Sequence, residues 1–429
     1  MPLRFLHTAD LHLGKTYFGS PGEDERGEDF FQAFAALVAD AVRDQVDFVL
    51  VAGDLFHTGQ ILPRTFARTI EILQPLKAAA IPCVAVEGNH DWIHRRERLS
   101  WMEALSQMGY LRLLRPARSA DGGYLFHPFD PARGCGGQLE IGGLHLYGVG
   151  YIGAQAGSHV ERICQAVATP RNLLLFHVGI WSYSPVEIGN MQPQEAAPLA
   201  DTFAYVALGH GHKPYVVNAA DGRPWAFNPG SPERVNLGEQ SYEKGWYRVE
   251  LDEDGTLSHT FRPYSPRPML TLAVDLEGAA TPEAALQRLR QAAEALPRPD
   301  DRRRPVVEVK LAGRVGFHPF ELGRERLLQT LAETLTPLHA EIRNHLSLVS
   351  HGGEERARRS LAEIEQEVLH NLVTAGGRYG GREEELVQLA LALRQRVLLG
   401  EGEGDDLLDL LDGLDPGETS LLPMAEGEG

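Results

Sequence analysis

Cysteine is nearly absent from this chain: Cys83, Cys135 and Cys164 are the only three in 429 residues. An odd, scattered count without a CxxC pair argues against a disulfide framework and a thiolate metal site, and fits a reducing compartment. No apolar run is long enough to span a bilayer. The first residues, Met-Pro-Leu-Arg, lead straight into a strand pattern, without the basic and apolar regions of a leader. A cytoplasmic protein with no membrane association is expected. Positive charge is also short. The formal net charge is −18, the wrong sign for gripping nucleic acid by bulk electrostatics. Much of that excess is local, because residues 401–429 hold ten Asp or Glu and no Lys or Arg.

What is present reads as ordinary globular protein, with 43% hydrophobic and 23% charged residues. The length implies two or three domains. Apolar strands at Leu3–Thr8, Phe48–Ala52 and Cys83–Val86 alternate with helical patterns at Phe30–Arg43, Pro63–Ala79 and Leu99–Met108. That alternation is a βαβ pattern. Further strands are expected near 139–141, 144–149, 173–176, 205–208, 226–227 and 246–250. The fold class expected is α/β, a layered β-sandwich flanked by helices, over residues 1–265. The Pro-rich stretch Arg262-Pro-Tyr-Ser-Pro-Arg-Pro268 reads as a linker. A small α/β cap, βαβαβ in order, is expected over 266–350, its first helix capped by Thr281 with Pro282 at the first position. Residues 351–400 read as a helical pair, either a core-packing hairpin or a docking surface for another protein. The acidic end, 401–429, reads as disordered.

Five short blocks carry the chemistry: Asp10-Leu-His12, Gly53-Asp54, Gly88-Asn89-His90-Asp91, His177 and Gly209-His210-Gly-His212. Most follow an expected strand, where α/β enzymes usually build their sites. A nitrogen and oxygen donor set without thiolate suits Mn²⁺, Fe²⁺ or Zn²⁺. In an extended chain residues two apart share a face, so Asp10 and His12 can reach one ion. The partition expected is Asp10, His12 and His212 on one ion, Asn89, His177 and His210 on the other, and Asp54 between them. Two divalent ions about 3.5–4 Å apart clamp a phosphoryl group and acidify a bridging water, which suits phosphate-ester hydrolysis. His90 is then the candidate acid for the leaving oxygen, with Asp91 to orient its ring. His57 reads as either a substrate-side group or a local hydrogen-bonding residue, and Lys15 as either a phosphate contact or a solvated lysine. His7, His127, His145 and His339 read as structural.

The blocks resemble those of the calcineurin-like metallophosphoesterase superfamily. The runs His7-Thr-Ala-Asp10-Leu-His12-Leu-Gly14, Gly53-Asp54-Leu-Phe-His57, Gly88-Asn89-His90-Asp91 and Asn228-Pro-Gly230-Ser-Pro-Glu-Arg234 are similar to those of SbcD-type DNA repair nucleases, the YhaO-like branch in particular. That resemblance implies a Mn²⁺-dependent nuclease on DNA ends, with exonuclease and single-strand endonuclease activity. It implies the same ligand partition, His90 at the leaving group and His57 near the substrate. It also implies a homodimer through the helices at 63–79 and 99–108, and an SbcC-like coiled-coil ATPase partner on the C-terminal helices. Arg302-Arg-Arg304 and Arg314 form the best short basic cluster for DNA. The alternatives are a phosphatase or small-molecule phosphodiesterase of the same fold, or a non-catalytic scaffold for the ATPase. Leu55-Phe-His-Thr-Gly59 stands where protein phosphatases carry Asp-Arg-Gly, which favours the nuclease.

Overall fold

The computed structural model describes residues 2–15, 23–92, 99–167, 171–186, 188–297 and 301–349, with 366, 368–371, 384 and 386–391. Its contacts divide into two units, Met1–Val349 and Ser350–Gly429. Most of the expected helical pair, and all of the acidic tail, lie outside the described residues.

The part of the first unit before residue 265 is built on two large sheets. The seven-stranded sheet has the order Leu257–Pro263, Gly245–Leu251, Leu3–Thr8, Phe48–Ala52, Cys83–Val86, Arg112–Leu114, Cys135–Gly136. The six-stranded sheet runs Tyr215–Asn218, Pro224–Asn228, Tyr205–Leu208, Asn172–Phe176, Leu144–Val149, Gln138–Ile141. The central strands of each sheet are parallel and buried on both faces. This is why Phe48–Ala52 and Asn172–Phe176 read as unbroken apolar runs. Alternate residues serve two cores. Phe5, Phe48, Leu50 and Val84 meet Leu173, Leu175, Tyr205 and Phe227 between the sheets. Val49, Val51 and Ala85 face outward onto Phe34, Leu37, Leu73 and Leu105 of the helices.

Aromatic rings fasten the inner layer. Phe5 stacks on Phe48 at 4.8 Å and meets Tyr205 edge-on at 5.1 Å, and Tyr205 stacks on Phe227 at 4.4 Å. Such pairs add about 0.5–1.5 kcal/mol each beyond the area they bury. A helix at Ala156–Gln165, not expected from the sequence, covers the outer face of the second sheet through Val160 and Ile163. The result is the layered α/β sandwich expected.

Residues 269–348 form a separate three-stranded parallel sheet, in the order Met269–Asp275, Val306–Val315, His339–Leu348. Helices Pro282–Ala295 and Arg324–Thr334 complete its own core, around Leu289, Val309, Leu311 and Leu331. Thr281 caps the first helix by accepting from the Ala284 N–H.

The first helix starts earlier than expected. It begins at Glu23, well before Phe30. Residues 23–29 have no apolar stripe to reveal them, because their inner face buries charge. Arg26 and Asp29 are 2% and 1% exposed and pair with each other at 2.8 Å. Arg26 also pairs with Glu233 at 3.1 Å.

Candidate metal centre

All five blocks sit just past the C-terminal ends of parallel strands, three from the first sheet and two from the second. The two sheets pack face to face, so these ends converge. The local backbone is unusual. Asp10, His12, Asp54 and His210 have φ values of 54°, 46°, 52° and 80°, where non-glycine residues are rare. Hydrogen bonds between blocks hold them there. Asp10 N–H donates to Gly53 O at 3.0 Å, His12 N–H to Asp54 O at 3.0 Å, and His210 N–H to Asp10 Oδ1 at 3.0 Å. Asp10 and His12 therefore converge by a left-handed kink, not by the extended geometry expected, since the strand ends at Thr8. Gly53, at φ 93°, leaves room for His177, whose ring a Cβ would strike.

Two groups of donor atoms result. In the first, His12 Nε2 and His212 Nε2 are 3.0 Å apart, and Asp10 offers an oxygen within 4.8 Å of both. In the second, the Asn89 Oδ1 lies 3.2 Å from His177 Nε2 and 3.0 Å from His210 Nδ1. One oxygen stands between them: Asp54 Oδ2 is 3.9 Å from His12 Nε2 and 3.5 Å from His177 Nε2. The remaining nitrogens are fastened. His177 Nδ1 donates to Ala52 O at 2.7 Å and His210 Nε2 to Ile188 O at 2.6 Å. The His212 Nδ1 lies 2.8 Å from Glu239 Oε1. Such outer contacts fix the tautomer and aim of a metal-binding imidazole.

The electrostatics suit cations. Asp10 Oδ2 is buried without a hydrogen-bond partner. An unpaired buried carboxylate oxygen is costly and calls for positive charge. Burial raises the Asp10 pKa, opposed by His212 and His177. For His177, burial lowers the pKa, but the Asp54 carboxylate outweighs it and carries it up to about 9. A proton on His177 thus neutralises Asp54, the part a bound cation would take. The residues present fit two divalent cations.

His12, His57 and His90 form a further cluster at the edge of the first group. The His57 ring stacks on His90, 5.2 Å between centroids, and its Nδ1 is 3.3 Å from His12 Nδ1. Lys15 Nζ lies 3.3 Å from His57 Nε2, which places Lys15 beside this cluster. Burial and the Lys15 charge bring the His57 pKa down to about 4. His90 Nδ1 donates to His57 O at 2.7 Å, which fixes the orientation of its ring.

Asp91 does not orient His90 as expected. Its oxygens accept from the N–H groups of Gly88 at 2.9 Å, Leu55 at 3.2 Å and Phe56 at 2.9 Å. A carboxylate so engaged ties the second block to the third, and the His57 carbonyl takes the orienting place.

The sequence did not reveal Glu239 or Lys244, because no spacing links them to a block. Nor are the expected basic residues available as a cluster. Arg303 pairs with Asp301 at 2.5 Å, Arg304 with Glu25 at 2.6 Å and Arg314 with Glu277 at 2.7 Å.

A family model, calcineurin-like phosphoesterase, matches residues 3–214, the stretch that carries all five blocks. Residues 3–214, just under half of the chain, thus carry the pattern of a calcineurin-like phosphoesterase domain. Such domains are hydrolases with a two-metal centre. Among curated relatives, the chain is similar to the protein from Saccharolobus solfataricus named DNA double-strand break repair protein Mre11. Identity is 28% over 271 residues, 61% of this chain and 65% of that one. Proteins of the same name from Archaeoglobus fulgidus and Haloferax volcanii match at 30% and 28%. They cover 56% and 67% of this chain, and 52% and 58% of their own lengths. The chain thus spans about half to two thirds of these relatives.

Proposed function

We propose that this phosphoesterase is a two-metal DNA nuclease that hydrolyses phosphodiesters at DNA ends during repair, in the SbcD-type, YhaO-like branch. The observation that carries the reading is the paired donor set, with Asp54 Oδ2 between its halves and the Asp10 Oδ2 unsatisfied within it. Asp10, His12 and His212 would hold one ion, Asn89, His177 and His210 the other, and Asp54 both. Mn²⁺ suits this mixed set. Bound ions supply an activated water and neutralise charge on the phosphoryl oxygens. The chain's own groups do the rest. His90, with Nδ1 fixed on the His57 carbonyl, delivers a proton from Nε2 to the leaving oxygen. Lys15 and His57 flank the entrance as substrate-side groups. The DNA repair names of the relatives support the substrate class.

A homodimer through the helices at Pro63–Ala78 and Trp101–Gln107, a cytoplasmic location, and an SbcC-like ATPase on the C-terminal helices belong to the same reading. No described helix is long and apolar enough to cross a membrane. The pairing of Arg303, Arg304 and Arg314 favours a second reading, a small-molecule phosphodiesterase, because it removes an obvious DNA track.

End-labelled duplex DNA with Mn²⁺ separates the two, with His90→Ala as control. Cleavage that falls about 10²- to 10⁴-fold in the control, with metal content unchanged, supports the nuclease. Hydrolysis of an aryl phosphodiester but not of DNA supports the second reading. Full activity of His90→Ala removes His90 from the chemistry.

A further inference from the structure

Glu239 is 3% exposed and far from any block in sequence, yet five donors converge on its carboxylate. Oε1 receives His212 Nδ1 at 2.8 Å and Asn236 Nδ2 at 2.8 Å. Oε2 receives Lys244 Nζ at 2.6 Å, the Val235 N–H at 3.0 Å and the Ser231 hydroxyl at 3.4 Å. The Lys244 side chain is completely buried. Its ammonium also donates to Ser231 Oγ at 2.7 Å and to the carbonyl of His212 itself, at 3.2 Å. His212 is therefore gripped twice, at its ring by Glu239 and at its backbone by Lys244. Burying an ion pair is costly unless its remaining hydrogen-bonding capacity is met. Here it is met, and the pair is spent on one imidazole.

We propose that Glu239 is a positioning residue for the Asp10–His12–His212 half of the centre, fixing His212 with Nε2 toward the ion and making that half the tighter of the two sites. The inference rests on the two-metal reading above. Its physical basis is an asymmetry. The outer nitrogens of His177 and His210 rest on neutral backbone carbonyls, Ala52 O and Ile188 O. His212 alone among these three rests on a carboxylate. An ionised partner on Nδ1 makes Nε2 the stronger donor. The buried Lys244 ammonium, 2.6 Å from Oε2, sets a positive charge against the Glu239 carboxylate. The first half also holds Asp10, where the second has the neutral Asn89, so its negative charge is greater.

The test is calorimetric titration of the metal-stripped full chain with Mn²⁺ alone. Two unequal sites are expected. Glu239→Gln, which keeps shape and removes charge, should weaken the tighter site about 10- to 100-fold and leave the weaker unchanged. Glu239→Asp, which keeps the charge but shortens the reach, should fall between, and it replaces Gln if that variant does not fold. His212→Ala identifies the affected site. Equal weakening of both sites would reduce Glu239 to a structural role and overturn the proposal, as would no weakening at all. A wild-type chain that binds no Mn²⁺ would remove the two-metal reading along with this one. Two bound ions without DNA cleavage would remove only the nuclease.

Discussion

Arg267 and Asp29 form a two-pronged ion pair, at 2.5 and 2.9 Å, between the linker and the first helix, with 3% and 1% of each residue exposed. Arg267 stands two residues before the first strand of the small α/β unit. Its guanidinium also meets Glu25 at 3.1 Å, and its backbone N–H reaches Glu233 at 3.2 Å. Arg234 completes the seam by donating to the Arg267 carbonyl at 3.0 Å. The small unit is thus clamped to the phosphoesterase domain through charge more than through hydrocarbon.

Arg267→Ala should destabilise the chain by about 3–5 kcal/mol, since it takes the two-pronged partner from buried Asp29 and leaves it only Arg26. Denaturant unfolding measures this. Joint replacement, Arg267→Met with Asp29→Leu, should cost less than the single change, because no unpaired charge is left. A single change costing under about 1 kcal/mol would mean that Asp29 finds enough in Arg26.

Gly53→Ala should cost more than its size suggests. An added methyl would meet the His177 ring, and the φ of 93° disfavours any side chain by about 1–2 kcal/mol. Mn²⁺ affinity of the Asn89–His177–His210 half should fall at least tenfold, with the other half affected less. Calorimetric titration reads both. Unchanged affinity would show that the loop relaxes around the methyl.

Removal of residues 354–399 should spare Mn²⁺-dependent cleavage and abolish pull-down of a co-expressed coiled-coil ATPase. Retained pull-down would move the docking surface elsewhere on the chain.

The candidate site was legible because each block follows an apolar strand, and strand ends are where parallel sheets gather side chains. His177 could be placed by Leu173–Phe176 alone. What stayed hidden depends on hydrogen bonds that have no sequence period. Asp91 looked like a partner for its neighbour His90, but its carboxylate serves three N–H groups, two of them more than thirty residues away. Glu239 reaches His212 across 27 positions. The start of the first helix was missed because Arg26 and Asp29, buried as a pair, read as solvated charge. The Arg302–Arg304 run looked like a basic patch, and only its neighbours in space show that two of its members are engaged.

Left-handed residues at Asp10, His12, Asp54 and His210 are each held by, or hold, another block. The five blocks accordingly make a single mutational unit. A change at Gly53 disturbs the acceptor of the Asp10 N–H, and a change at Asp10 removes the acceptor of the His210 N–H. Free energies of paired substitutions across blocks should depart from simple sums. A chain drifting in sequence could not exchange one loop for a foreign one while keeping the other four, so variation in substrate preference has to arise outside this knot of loops, on the surfaces around it.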